Sequence, residues 1–489
     1  MPSPANLIFF LSDNHSRTML RSFGHPYVET PTMDKIAERG VKFTNAYCAS
    51  PLCCPSRAAL ATGRYPHQSG YWDNALAYDG KFPTWHGRVR DQDCTSISIG
   101  KLHYVSGEND NGFSEEILPM HIIEGKGALI SLLRATPDGV PPRKGPRDMY
   151  ANSGIGEADY QRYDRDVTKA TIDWLGAHAK GRDKPFVLFV SYASPHPPFA
   201  VPDRLFDKYP PDKMPLPVQW SHNERPDHPA IAHIRSQDNF EDPITEEYVR
   251  QVAAGYCGLV THLDEQMGEV MKVVEELGLL EDTRILYTSD HGEAAGNHCL
   301  FGKSNLYEHS LGVPIVMSGP DITPGSTVTQ IASHVDLFPT IVEALGCELS
   351  EADADLPGQS LWPAIAGEDS NALGFGEVHV QSTRNAAFML RAGDDKLIYH
   401  VDAPNQFFDL ASDPQETRDL IDTPHGEARA AALEETLRTM LDPEETDRRC
   451  KTDQLAHAER MGGEDQIRNR GTFNYTPVPG DPLNMETVS

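Results

Sequence analysis

Leu7–Asn14 reads LIFFLSDN: five apolar residues, a serine, then an acid and an amide. An apolar run this short, rich in aromatic and β-branched residues and stopped by polar ones, is a buried strand rather than a helix or a membrane span. It delivers Asp13 and Asn14 at its carboxyl end. The same pattern recurs three times. Ser96–Ile99 leads to Lys101 and His103, Phe186–Val190 leads to His196, and Ile285–Thr288 leads to Asp290 and His291. Helical patterns lie between them, such as Val249–Leu277, where Leu259, Leu263, Val270 and Val274 fall near helical spacing. Alternating strand and helix predicts an α/β fold: a large mixed, mostly parallel sheet sandwiched by helices. Ligands of such sheets bind beyond the carboxyl ends of the strands, so four strands are expected to bring these residues to one crevice.

Near residue 370 the pattern changes. AAFMLRA, KLIYHV and FFDL alternate like antiparallel strands, and a helix follows around Glu427–Leu441. Residues 1–370 are therefore expected to form one large α/β domain. Residues 371–450 form a smaller C-terminal α+β domain carrying an antiparallel sheet. Residues 451–489 form a polar tail rich in Gly, Asn and Pro, either a flexible end or an arm packing on another subunit of a homo-oligomer.

Asp plus Glu number 72 against 43 Lys plus Arg, a formal charge of −29. Such a surface repels nucleic acid and anionic lipid, which excludes both as partners. It repels an anionic substrate as well, so an anion would need positive charge concentrated in the pocket. The eight cysteines form no repeating framework, as expected for reduced, buried thiols. Leu7–Leu11 is too short for a signal peptide and lacks a basic n-region, and no stretch reaches transmembrane length. The expectation is a cytoplasmic protein.

Ala49–Gly70 reads ASPLCCPSRAALATGRYPHQSG. Pro55 suits the first position of a helix, Ala58–Ala61 its interior and Gly63 its end. Cys53 and Cys54 then lie at a helix N-terminus, where free N–H groups favour an anion and a thiol can become a thiolate. Alternatively, both cysteines merely pack a tight loop.

The longer string decides between these. Cys53-Cys54-Pro55-Ser56-Arg57, followed by Thr62-Gly63-Arg64, resembles the signature of the type I, formylglycine-dependent sulfatases of the alkaline phosphatase superfamily. NLIFFLSDN, GKLHY, SPHPPF, LYTSDHGEAAGNHCLFGKSNLYEHSLGVP, VDLFPTIVEALG and FFDLASDPQETRDL resemble further segments of that family. The resemblance implies that Cys53 is converted to formylglycine by a formylglycine-generating enzyme, with Cys54 the variable position. It implies one divalent metal ion, Ca²⁺ or Mn²⁺, held by Asp13, Asn14, Asp290, His291 and residue 53. Arg57 and Lys101 would orient the hydrated aldehyde and the sulfate, His103 would accept a proton, and His196 and Lys303 would meet the substrate and its leaving oxygen. Asn74 matches a pocket-lining segment and could equally form a turn. Gly312 replaces an arginine common in relatives, while His67, His298 and His309 read as structural. Tyr256, Cys257 and Asp264 read as packing or surface positions of a long helix.

The resulting expectation is a sulfuric ester hydrolase, arylsulfatase-like, acting on a small organic sulfate ester. A phosphonate monoester or phosphodiester hydrolase would use the same site. Choline-sulfatase is a third reading, through ASPLC, WDNA and GKLHYV. A non-catalytic binding protein is a fourth. Residues 105–165 and 200–245 are the irregular segments expected to shape specificity.

Overall fold

The computed structural model describes residues 2–369 and 372–486. In chain order its strands are β1 (Asn6–Ser12), β2 (Gly40–Tyr47), β3 (Thr95–Lys101), β4 (Glu115–Met120), β5 (Gly154–Ile155), β6 (Phe186–Ser191) and β7 (Ala200–Val201). They continue as β8 (Thr283–Ser289), β9 (Ile315–Ser318), β10 (Ser326–Ser333), β11 (Gly374–Val378), β12 (Ala387–Ala392), β13 (Asp395–His400) and β14 (Gln406–Asp409). One sheet runs β10-β2-β9-β8-β1-β6-β3-β4. Its contiguous centre, β8-β1-β6-β3, consists of the four strands expected from the sequence, all parallel. Only β9 runs antiparallel to its neighbours, so the sheet is mixed and mostly parallel.

β1 shows why those runs were uninterrupted. Leu7, Phe9 and Leu11 enter the core on one face of the sheet, and Ile8 and Phe10 enter the core on the other. A strand buried on both faces has no position for a polar residue until it ends. On the second face lie the helices Asp159–His178 and Glu246–Glu276, which contribute Val167, Leu175, Leu263, Met267 and Val270 to that core. The longer one starts at Thr245, whose hydroxyl accepts the Tyr248 N–H at 3.1 Å. Helices Cys53–Thr62 and Leu337–Ala344 cover the first face.

The expected boundary at residues 370 and 371 lies outside the described residues. Beyond it, β11-β12-β13-β14 form a separate antiparallel sheet. Helix Pro424–Met440 packs Ala430, Leu433 and Leu437 on it. Buried charges tie this sheet to the large one: Lys396 Nζ lies 2.8 Å from Glu308 and 2.7 Å from Glu416, and Arg17 pairs with Glu308 as well.

The expected start of the tail at 451 falls inside a helix, Pro443–Arg460, begun by an Asp442 cap and a proline in its first turn. Helix Glu464–Arg470 follows, and beyond it Val478 enters the core on the second face of the large sheet. Among the described residues no helix is long and apolar enough to cross a membrane.

Candidate active site

Helix Cys53–Thr62 points its N-terminus at the carboxyl ends of β1 and β8. Leu52 enters it in extended backbone, and Gly63, at φ 65°, ends it by donating its N–H to Ala59 O at 2.8 Å. Pro55 stands third in the helix rather than first. It is still among the opening residues whose N–H groups have no intrahelical partner, so its ring removes no bond. Every residue of this helix is buried, and small alanines let it lie close to its neighbours. Asn74 Oδ1 accepts the Cys54 N–H at 3.0 Å, and Asn74 also lines the pocket. Its carbonyl accepts Ala128 N–H at 3.1 Å beside Gly127, where a Cβ would stand 2.0 Å from that oxygen.

Four donor groups converge beside the helix. One ligand atom from each of Asp13, Cys53, Asp290 and His291 lies within 4.8 Å of all the others, and all four residues are buried. Cys53 Sγ is 3.3 Å from His291 Nε2 and 3.8 Å from Asp13 Oδ1. His291 Nδ1 donates to the Gly292 carbonyl at 3.0 Å, which leaves the Nε2 lone pair facing the cluster. The outer carboxylate oxygens are held by cations. Asp13 Oδ2 lies 2.5 Å from Lys101 Nζ and 3.5 Å from Arg57, and Arg57 Nε donates to Asp290 Oδ2 at 2.8 Å. The inner oxygens, Asp13 Oδ1 and Asp290 Oδ1, turn toward His291 at 3.8 and 3.5 Å. Carboxylates, an imidazole lone pair and a fixed second layer of partners fit one divalent cation.

Burial alone would raise the Asp13 carboxyl, but Lys101, His196, Lys303 and Arg57 outweigh it and hold it well below the ordinary range. Burial, reinforced by Asp13, pushes the Cys53 thiol up to about 11 despite Lys303 and Lys101. The thiolate expected from the helix N-terminus alone is therefore corrected: desolvation overrides it. Lys303 donates to Asn14 Oδ1 at 2.8 Å, and although burial disfavours its charge, Cys53, Asp13, Asp290 and Glu293 raise its pKa. Burial, with Lys101 and Arg57, holds His103 well below its ordinary value, so it stays a neutral base, and neither ring nitrogen has a partner. His196 donates Nδ1 to the Pro197 carbonyl at 2.7 Å.

Asn14, at φ 70°, and His103, at φ 55°, adopt left-handed backbone, a conformation that concentrates at functional sites. A cavity of about 100 Å³ opens above the cluster and is lined by Cys53, Asn74, Lys101, His103, His196 and Lys303. A larger cavity of about 220 Å³, between residues 229–234 and the second sheet, holds none of these groups.

A family model described as Sulfatase matches residues 5–347, and one described as N-sulphoglucosamine sulphohydrolase, C-terminal, matches residues 296–442. The chain belongs to the sulfatase family. A choline-sulfatase of Rhizobium meliloti (strain 1021) is 29% identical over 447 residues, covering 88% of this chain and 84% of the relative. Arylsulfatase K of Bos taurus is 28% identical over 449 residues, covering 86% and 78%. In fold, the chain is similar to the crystal structure of a phosphonate monoester hydrolase of Agrobacterium radiobacter, with a TM-score of 0.72 at 24% identity over 89% of this chain and 95% of that one. This sulfatase is a sulfuric ester hydrolase.

The structure of the sulfatase thus brings Asp13, Asn14, Cys53, Arg57, Asn74, Lys101, His103, His196, Asp290, His291 and Lys303 together, and adds several residues not singled out from the sequence. Glu293 is buried and accepts from Asn14 Nδ2 at 2.7 Å, Tyr150 OH at 2.8 Å, Ala295 N–H at 2.9 Å and Gly302 N–H at 2.6 Å. It fixes which way the Asn14 amide faces, and its position two residues after His291 was the available signal. Tyr256, expected at a packing or surface position, donates to Asn14 O at 2.6 Å and so holds the first loop. Asp264 is buried rather than exposed and accepts the Thr32 and Met33 N–H groups at the start of helix Pro31–Glu38. Tyr160 lies under Lys101 at 5.3 Å.

Of the two irregular segments, 105–165 contributes Arg143, Met149, Tyr150 and Tyr160 to the pocket, while 200–245 contributes Asp238. Residues 472–476 of the tail line it too, which no local sequence signal announces. His67, His298 and His309 stay outside. His67 pairs with Glu377 at 2.9 Å, and His298 Nδ1 donates to Gln219 Oε1 at 2.8 Å. At Gly312 a Cβ would stand 3.2 Å from Arg17 Cζ, so another cation already fills that space.

Proposed function

We propose that the chain hydrolyses monoesters of sulfate with small organic alcohols or phenols, using a formylglycine made from Cys53 and one divalent ion, Ca²⁺ or Mn²⁺. Asp13, Asp290, His291 and the Asn14 amide oxygen would hold that ion. The observation carrying this reading is the buried meeting of Asp13, Cys53, Asp290 and His291 at the mouth of a cavity whose walls bear Lys101 and Lys303. Those cations, with Arg57, supply the local positive charge that a chain of net charge −29 needs to admit an anion.

A formylglycine at position 53 would supply, once hydrated, hydroxyls for attack on sulfur and release of sulfate, and the ion held by Asp13, Asn14, Asp290 and His291 would supply Lewis-acid chemistry beside it. Arg57 fixes Asp290 and Asp13 so that their inner oxygens face residue 53. Lys101, buried against Asp13, keeps that carboxylate charged. Neutral His103 takes up the proton during sulfate release. His196, its ring fixed by Pro197, and charged Lys303 stand where the leaving oxygen would emerge. The pocket admits small substrates only, because residues 472–476 close one side.

The test is a panel of matched aryl sulfate, choline sulfate, sugar sulfate and aryl phosphonate monoesters on protein matured with a formylglycine-generating enzyme. Sulfate turnover is expected, and is lost in protein made without that enzyme. A phosphonate preferred more than about tenfold, roughly 1.4 kcal/mol of transition-state stabilisation, would transfer the site to phosphonate monoester hydrolysis.

A further inference from the structure

Two thiols far from the pocket stand side by side. Cys94 immediately precedes β3, and Cys347 follows helix Leu337–Ala344 by three residues. Their Sγ atoms are 3.5 Å apart. No other two cysteine sulfurs among the described residues approach within hydrogen-bond distance.

The approach is built by bonds that do not involve sulfur. The Gln92 side chain clamps the partner segment from both sides: Nε2 donates to Glu348 O at 2.8 Å and Oε1 accepts the Glu348 N–H at 2.9 Å. Cys94 N–H donates to Val89 O and Cys347 N–H to Val342 O, each at 3.0 Å. Both thiols are nearly buried, at 5% and 7% exposure. They lie just beneath an exposed ion pair of Lys184 with Asp93 at 2.9 Å.

We propose that Cys94 and Cys347 form a modification site that closes to a disulfide when a small disulfide oxidant such as oxidised glutathione reaches it. The Cys94 thiolate attacks one sulfur of the oxidant, forming a mixed disulfide and releasing one glutathione thiolate. The Cys347 thiolate then attacks the Cys94 sulfur and releases the second. Two cysteine protons leave, the protein pair is oxidised, and one oxidant is reduced to two thiols. Cys94 is taken as the attacking group because the adjacent Cys347 thiol and the charge of Lys184, working against burial, lower its pKa. The sulfurs must close from 3.5 Å to about 2 Å, which needs side-chain rotation at both cysteines.

The bond would tie the start of β3 to the end of helix Leu337–Ala344 and close a loop holding Lys101, His103, His196, Asp290 and Lys303, but not Cys53. A cross-link of that span restrains the unfolded chain and touches no group of the pocket. The matured enzyme is to be incubated with oxidised glutathione, alkylated, and digested without reductant. The expected result is a Cys94–Cys347 peptide pair, two fewer free thiols, an unchanged kcat, and a Tm several degrees higher that falls back on reduction. Cys94→Ser and Cys347→Ser should each abolish the shift. Persistent alkylation of both cysteines after oxidation, a stable glutathione adduct on either, or a bond to any other cysteine overturns the proposal. Should either serine variant not fold, the peptide map of the unmutated enzyme decides alone.

Discussion

Asn14→Asp is the substitution in which the structure makes a sharp demand. The change adds a second carboxylate beside Asp13, yet it should harm this chain. Asn14 Nδ2 donates to Glu293 Oε2 at 2.7 Å, while its Oδ1 accepts from Lys303 at 2.8 Å. An aspartate keeps the lysine and turns the other contact into carboxylate against carboxylate. Two charges about 4 Å apart repel by roughly 4 kcal/mol at an effective dielectric of about 20. A charge-assisted hydrogen bond of about 1.5–3 kcal/mol is lost as well. Stronger pairing with Lys303 and partial protonation return some of this, leaving a net loss of about 2–3 kcal/mol. Glu293→Gln repairs it. Glu293 Oε1 takes the Ala295 and Gly302 N–H groups, so a glutamine can keep its oxygen there and turn its amide nitrogen to the new carboxylate. Tyr150, now a donor to Oε2, has a hydroxyl that rotates to accept. Alone, Glu293→Gln faces amide nitrogen with amide nitrogen and costs about 1–3 kcal/mol. The assay is urea unfolding of chelator-treated wild type, both single variants and the double variant. The double should lie within about 1 kcal/mol of wild type, a coupling of at least about 2 kcal/mol. If Asn14→Asp is as stable as wild type, or the two changes simply add, Glu293 does not set the amide and the reasoning fails.

Cys53→Ala should abolish turnover while Cys54→Ala, a truncation against Ala77 and Ile122, costs about 1 kcal/mol of stability and keeps activity; the reverse outcome in matched kinetics would reassign the modified position. Asp290→Ala should remove metal, measured by elemental analysis, and activity, measured by sulfate release, while the circular dichroism spectrum is retained. Deleting residues 471–489 should open the pocket, so that kcat/KM for bulky aryl sulfates rises relative to that for a small alkyl sulfate; an unchanged ratio would show that the strap does not select. Glu377 is buried, which raises its pKa, but His67 and His379 lower it further, from 4.5 to about 2. A depressed acid contributes stability that is present above the unfolded value and lost as pH falls through the folded one. The stability gap between wild type and Glu377→Gln should therefore shrink by roughly 3 kcal/mol as pH falls from 4.5 to about 2, with a gap constant over that range counting against the assignment.

The central strands were legible because both faces of β1, β6 and β8 are buried, so each is written as an unbroken apolar run. The reactive residues were legible because they stand at the carboxyl ends of those runs, where the sheet first meets a cavity. Partners across long separations were not. Tyr160 OH donates to Thr476 O at 2.6 Å, the Tyr160 and Tyr475 rings lie 5.5 Å apart, and Asn474 donates to Glu486 at 2.6 Å. Each of these contacts of Tyr160 spans more than half the chain. The polar composition of residues 471–486 looks identical whether the segment is loose or, as here, seated on the pocket of its own chain.

The sequence also suggested an activated thiolate at Cys53, and the reason it is not one bears on why the residue is there. A helix N-terminus and two lysines favour the anion, yet burial and Asp13 prevail, and the thiol rises to about 11. At neutral pH an unmodified Cys53 would be a weak nucleophile, held 3.3 Å from an imidazole whose lone pair already points into the cluster. The surrounding charges serve an oxygen better than a sulfur. Arg57 and Lys101 grip the outer oxygens of Asp290 and Asp13, leaving hard inner oxygens and one nitrogen around residue 53, a set suited to Ca²⁺ or Mn²⁺. Under the proposed function, a cavity of about 100 Å³ with Lys303 on its wall would admit a small anion into a chain of net charge −29. Under the proposed function a neutral hydroxyl at position 53 would avoid the buried anion that burial and Asp13 oppose in a thiolate.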